Sequence, residues 1–250
     1  MEYWHFIVLV LIGIVVGFIN VISGGGSLIT LPILIFFGLD STVANASNRI
    51  GNIAQNIFAL AGFKSKGVTY SKYTFLLGFS AALGAIPGTF MALYIPDNAF
   101  NKILAIVMLV VVIIIVFGPK TKSEDVVEYL ESKHKALGML AFFFIGVYGG
   151  FIQAGTGLLI MAALSLINKM SFVKINTFKV VVVLFYLSVA FGIFLYYGQV
   201  NWAYGLSLGV GTSIGGWLSS RWSIDKGDVW IKRFMVVSVC ALAFKLLFFS

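Results

Sequence analysis

The run Gly17-Phe18-Ile19-Asn20-Val21-Ile22-Ser23-Gly24-Gly25-Gly26-Ser27-Leu28 decides the fold. Before the glycines, 6–22 is apolar and close to the roughly 20 residues that a membrane-crossing helix needs. After them, 28–38 is also apolar, but at 1.5 Å per residue it makes only about 16 Å of helix, half a membrane. The triple glycine therefore predicts a helix that breaks inside the bilayer. The same figure recurs downstream. Ala154-Gly155-Thr156-Gly157 separates the apolar run 134–152 from the short run 158–168.

Outward from these breaks, further spans are expected at 41–62, 73–95, 99–118, 171–197, 202–221 and 229–249. Of the 250 residues, 60% are hydrophobic and only 10% charged. Soluble domains average about 45–50% and about 25%. The mean hydropathy of +1.03 agrees. These values argue against a soluble enzyme or a disordered chain. The N-terminal MEYWHF lacks a basic run and a small-residue cleavage pattern, so it predicts the start of a membrane helix rather than a removable signal. Cys240 is the single cysteine, which excludes an internal disulfide and a cysteine metal cluster.

The chain repeats. Gly25, Leu28, Ser41, Val43, Ser47 and Arg49 meet Gly155, Leu158, Ser171, Val173, Thr177 and Lys179, each 130 residues on. Gly84 and Gly88 match Gly211 and Gly215 at 127, and Gly13 and Gly17 match Gly146 and Gly150 at 133. Shared order and the shared break predict two membrane repeats, 1–119 and 134–250, joined by a polar cytoplasmic linker, 120–133.

Charge placement orients them, because cytoplasmic loops collect Lys and Arg. If 6–38 crossed the membrane once, Lys and Arg outside the spans would divide eight against seven, which is no bias. If each broken element instead enters and leaves on one side, each half has three full crossings and the halves are inverted. With the N-terminus outside, Lys64, Lys66, Lys72, Lys120, Lys122, Lys133, Lys135, Lys169, Lys174, Arg221, Lys226, Lys232 and Arg233 fall inside. Only Lys102 and Lys245 fall outside. The expected fold is thus an all-α, polytopic membrane bundle of two inverted repeats, each a glycine-broken hairpin plus three spanning helices, with both termini outside the cell membrane. The weak point is 6–22, long for half a hairpin; it predicts a tilted helix or a break past the midplane. The net charge of +8 then reads as a topology signal, not a nucleic-acid surface.

Arg49 and Lys179 are left inside the membrane. Arg49 lies about 12 Å into its span, on a polar stripe with Asn45, Asn48, Asn52, Gln55 and Asn56 at helical spacing. An intramembrane guanidinium costs at least about 2.5–3.5 kcal/mol and normally faces water or a partner. It marks a functional site; the alternative is a helix-packing residue bonded to backbone carbonyls. Lys179 is its repeat partner, or a lysine that snorkels to an interface. All nine acids fall in loops or at span ends. The two cations therefore predict an electropositive centre, and an anionic substrate is the simple counter-charge. At the breaks, the starts of 28–38 and 158–168 present free N–H groups and the positive ends of helix dipoles, ready anion sites in transporters. The candidate binding set is Ser23, Gly24, Gly25, Gly26, Ser27, Asn45, Asn48, Arg49, Asn52, Gln153, Gly155, Thr156, Gly157 and Lys179.

The small-xxx-small pairs Gly84/Gly88 and Gly211/Gly215 predict close helix packing. Trp4, Trp202, Trp222 and Trp230 predict an aromatic belt. Pro32 and Pro87 are candidate helix bends. No catalytic constellation, cofactor motif or metal-ligand cluster can be assembled from two end-located histidines and loop acids, so an enzyme is not expected.

The 17–27 stretch, Leu31-Pro32, Asn48-Arg49, the turns at Lys66-Gly67-Val68 and Gly198-Gln199-Val200, and the second break at 149–157 together resemble the TauE/SafE family of sulfite and sulfonate transporters. The resemblance covers nearly the whole chain. It implies a duplicated multi-pass permease moving sulfite, sulfoacetate or another organosulfonate, with Asn48-Arg49 and the two glycine breaks forming the substrate site. Phe178-Lys179 stands where the first half has Asn48-Arg49, a departure from symmetry. Two alternatives stay open: an anion channel using the same electropositive pore, and a membrane-embedded subunit that binds a partner or lipid without transport.

Overall fold

The computed structural model describes residues 3–104, 106 and 132–248, and within them the chain is helical with no strand. The helices are α1 (Tyr3–Ser23), α2 (Ser27–Phe36), α3 (Ser41–Ser65), α4 (Lys72–Tyr94), α5 (Ser132–Phe151), α6 (Thr156–Ile167), α7 (Phe172–Tyr196) and α8 (Trp202–Phe248). A further helix starts at 97 and is followed to 104; the rest of the expected span 99–118, apart from residue 106, and the linker to 131 lie outside the described residues. α8 is two helices, because Gly227 (φ 71°, ψ −175°) breaks it. Among the described residues, four helices are long and apolar enough to cross a membrane: α1, α4, α5 and α7. α3 has spanning length but carries the polar stripe, and nearly all of that stripe is buried against protein.

Both glycine breaks exist. α2 has 10 residues and α6 has 12, the half-length elements that the sequence predicts. The first break turns the chain back on itself. Phe37, just past α2, lies 5.5 Å from Trp4 and 4.3 Å from His5, at the start of α1. The Tyr204 hydroxyl, near the start of α8, contacts His5 Nδ1 at 3.2 Å and Phe37 O at 3.4 Å. A single crossing over 6–38 would put Trp4 and Phe37 at opposite ends, so α1 and α2 form a hairpin. Its arms are unequal, as the length of 6–22 foreshadows. At the far end, Tyr73 at the start of α4 bonds Asn168 at the end of α6 (3.4 Å), and a side chain at Gly138 near the start of α5 would strike the Tyr73 hydroxyl. Lys66 and Asp225 close the same end with a 2.6 Å ion pair between the ends of α3 and the first part of α8.

The glycine pairs let backbones touch. A Cβ on Gly84 or Gly88 would lie 2.0 or 1.9 Å from the carbonyl oxygens of Phe143 or Val147 in α5. A Cβ on Gly211 or Gly215 would lie 2.1 or 2.2 Å from those of Val10 or Ile14 in α1. Phe143 and Val147 stand 133 residues after Val10 and Ile14, and Gly211 and Gly215 stand 127 after Gly84 and Gly88. The two interfaces therefore map onto each other with the sequence offsets of the repeat. In both, the contacts advance together along the two chains, so α1 runs parallel to α8 and α5 parallel to α4. Such close approach favours association where lipid offers no hydrophobic drive.

α3 and α7 end alike. Gly67 (φ 78°) and Gly198 (φ 69°) take the left-handed conformation, and Val68 N and Gln199 N reach back to Phe63 O and Phe194 O. This is the glycine stop that lets a helix end satisfy its last carbonyls. Trp4, Trp202 and Trp230 are about half exposed, as a belt requires. Trp222 is partly buried and packs on Phe18 at 5.7 Å and on Phe234, beyond the Gly227 kink, at 5.8 Å.

Candidate functional site

The site lies where the two breaks cross. Gly24 (φ 78°) sits against Gly157, and a Cβ on either would stand 2.4 Å from the other's backbone. Beside this crossing is a cavity of about 20 Å³, room for one water-sized particle. Asn20, Gly24, Ser27, Asn52, Gln55, Asn56, Gln153, Gly157, Lys179, Val183 and Tyr186 line it. Ser27 and Gly157 belong to the first turns of α2 and α6. Both half-helices therefore turn their positive ends toward the cavity.

The amides are organised around Asn20. Its Nδ2 donates to Asn52 Oδ1 (2.9 Å) and Gln55 Oε1 (3.2 Å), while its Oδ1 accepts from Gly26 N (3.1 Å). Ser27 Oγ also reaches Asn52 Oδ1 at 3.3 Å. Gln153 holds the second break in a left-handed turn (φ 69°), and its Oε1 is buried without a partner. A non-glycine residue held there is a strained feature of the kind that gathers at functional sites.

The two cations perform one task twice. Arg49 is fully buried and donates to Gly149 O (3.1 Å) and Gly150 O (2.7 Å), with Asn45 Oδ1 at 3.5 Å and the Phe194 ring at 4.9 Å. Those carbonyls are in the last turn of α5, where no following amide is available to them. Lys179 donates to Val21 O (2.7 Å) and Asn20 O (3.3 Å), in the last turn of α1, and to Asn176 Oδ1 (2.9 Å). Each cation therefore caps the negative end of the other half's broken helix. No carboxylate lines the cavity, and no cluster of potential metal ligands occurs among the described residues.

The model of the family described as Sulfite exporter TauE/SafE matches residues 9–246. The chain belongs to this family. A probable membrane transporter protein, ORF9, from Sinorhizobium is 28% identical over 239 residues, covering 93% of this chain and 88% of that one. A probable membrane transporter protein of Haemophilus influenzae is 26% identical, covering 96% and 94%. YfcA of Escherichia coli K12, also a probable membrane transporter protein, is 26% identical, covering 97% and 90%. No solved structure matches the chain. As a TauE/SafE member, the protein is a membrane transporter.

Within this transporter, six of the expected binding residues meet at the cavity: Gly24, Ser27, Asn52, Gln153, Gly157 and Lys179. The others surround it. Ser23 Oγ bonds back to Ile19 O (2.9 Å), and Asn45 Nδ2 donates to Phe151 O (2.7 Å). Asn48 Oδ1 accepts from Thr30 (2.8 Å) and its Nδ2 is buried without a partner. Thr156 Oγ1 donates to Gln153 O and steadies the second break. Gly155 (φ 76°) caps α6, and Gly25 and Gly26 accept the first amides of α2. Arg49 does not line the cavity; it holds α5, the helix-packing geometry named above as its alternative. Asn20 and Tyr186 are lining residues outside the expected set. Asn20 is legible as the one amide within the apolar α1, and Tyr186 as the polar residue two helical turns after Lys179.

Proposed function

We propose that this TauE/SafE member carries a small sulfur-containing anion (sulfite, sulfoacetate or another organosulfonate) across the cell membrane by alternating access. The observation that carries this reading is the cavity at the crossed breaks. It combines a buried ammonium, two helix N-termini and amide side chains, and no carboxylate. Lys179 and the half-helix ends supply positive potential, as at other anion sites of broken transporter helices. Asn52, Gln153 and Ser27 orient the anion's oxygens. Arg49 and Lys179 hold the helix ends that frame the site. The family name supports the sulfur anion.

The halves 1–119 and 134–250 are read as inverted repeats joined by the linker 120–133, with both termini outside. The reciprocal glycine interfaces and reciprocal cation caps support this. Single cysteines placed near Lys66 and Gln199, after Cys240 is replaced, should react with impermeant label from opposite sides. Labelling of both from the same side would exclude inversion.

Counterflow in proteoliposomes tests the transport reading. Vesicles preloaded with unlabelled sulfite or sulfoacetate should accumulate the labelled anion transiently. Folded protein that gives no flux with either anion would sink this substrate class, and flux without saturation or counterflow would favour a channel.

A further inference from the structure

The repeat leaves two matching grooves on the lipid-facing surface, and they differ. One, between α4 and α7, has a volume of about 460 Å³. The other, between α3 and the first part of α8, has about 1000 Å³. Sequence explains the difference. Ala54, Gly209 and Ser213 stand in the large groove where the repeat places Leu184, Ala82 and Ile86 in the small one. Helix packing does not demand the missing bulk at Gly209: a Cβ there would meet Ala54 Cβ at 3.6 Å, Ile50 Cγ2 at 3.9 Å and Gly51 Cα at 4.0 Å, all ordinary contacts.

The charge at the groove's end differs as well. On α3 the lining face Ala54, Phe58, Ala61 continues one turn on to Lys64. On α8 the face Val210, Ile214, Trp217 continues to Arg221, whose guanidinium lies 5.5 Å from the Trp217 ring. The repeat places Phe194 and Tyr94 at the positions of Lys64 and Arg221. The large groove thus joins an apolar channel to a pair of cations at one end only. From Ile50 to Ala61 it runs about 16 Å, close to one leaflet of a bilayer core about 30 Å thick.

We propose that this groove binds an anionic phospholipid, one acyl chain lying between α3 and α8 and the phosphate headgroup held by Lys64 and Arg221. Apolar length matches the chain, and charge matches the head. Clustered basic residues beside a bilayer recognise anionic lipids in this way. With the membrane orientation proposed above, the lipid belongs to the cytoplasmic leaflet.

Trp217 makes the test direct. The protein is placed in bilayers containing brominated phosphatidylglycerol or brominated phosphatidylcholine, and the Trp217 signal is taken as wild type minus Trp217→Phe. Brominated phosphatidylglycerol should quench that signal with a preference of roughly thirtyfold, the order expected for two cations near an anionic lipid. Lys64→Gln with Arg221→Gln should abolish the preference while quenching by both lipids remains. Gly209→Leu should reduce quenching by both, and Lys72→Gln, off the groove, should change nothing. Equal quenching by the two headgroups, or a preference that survives loss of both cations, would overturn the proposal. So would absence of quenching by either lipid, which would mean that another chain fills the groove.

Discussion

Arg49→Ala should abolish counterflow and lower the unfolding temperature in detergent. The guanidinium spans two carbonyls, Gly149 O at 3.1 Å and Gly150 O at 2.7 Å, at the end of a helix that stops inside the protein. Removing it leaves Gly149 O unpaired and Gly150 O with only the longer bond from the Thr89 hydroxyl (3.4 Å), so the loss is about 1–3 kcal/mol for the first and less for the second. The second break then loses the group that ties it to α3, and the cavity wall formed by Gln153 and Gly157 moves with it. Arg49→Lys recovers part of the stability, because an ammonium lacks the planar fork that serves two acceptors at once. Thermal unfolding of the three proteins, with counterflow on the same preparations, checks this. Wild-type transport by a folded Arg49→Ala protein would exclude Arg49 from the site and from its support.

Gly24→Ala is the second change of large effect. Its methyl would lie 2.4 Å from the backbone of Gly157, and nothing flexible is there to yield. Residue 24 also has φ 78°, a conformation that costs a non-glycine residue about 1 kcal/mol. The breaks must separate by about an ångström to reach ordinary contact, and overpacking of this kind costs roughly 1–3 kcal/mol more. Counterflow should fall at least tenfold, since each 1.4 kcal/mol lost from the competent arrangement is tenfold. Gly192→Ala, where a Cβ would meet nothing within 4 Å, should transport like wild type. Equal activity of the two variants would show that the crossing of the breaks is not needed for function.

Much of this architecture was legible because membranes impose coarse rules. Apolar length located the helices, and two half-length pieces after glycines located the breaks. Charge bias selected the hairpin that His5 and Phe37 then displayed at 4.3 Å. The site was less legible. Helical spacing puts Arg49 on one stripe with Asn52 and Asn56, and all three look alike from α3 alone. What separates them is the neighbour each one meets: Arg49 faces the last-turn carbonyls of α5, whereas Asn52 and Asn56 face the cavity. Carbonyls without a following amide are a property of a helix end in space, and sequence does not say which helix packs there. The same reasoning applies to the counter-charge. An anion is the simple partner for two buried cations, yet each has a backbone oxygen of the opposite half as its nearest acceptor, Gly150 O for Arg49 and Val21 O for Lys179. Asn20 stands outside the expected set because it sits in the apolar α1, before the glycine break.

Equilibrium binding of radiolabelled sulfite to the purified transporter, by scintillation proximity, tests the central claim most directly. Wild-type protein should bind saturably, with displacement by unlabelled sulfoacetate. Lys179→Gln should lose that binding, because it removes the one cation on the cavity wall. Gly209→Leu, in the lipid-facing groove, should keep it. Saturable binding that is unchanged in a folded Lys179→Gln protein would contradict an anion site at the crossed breaks.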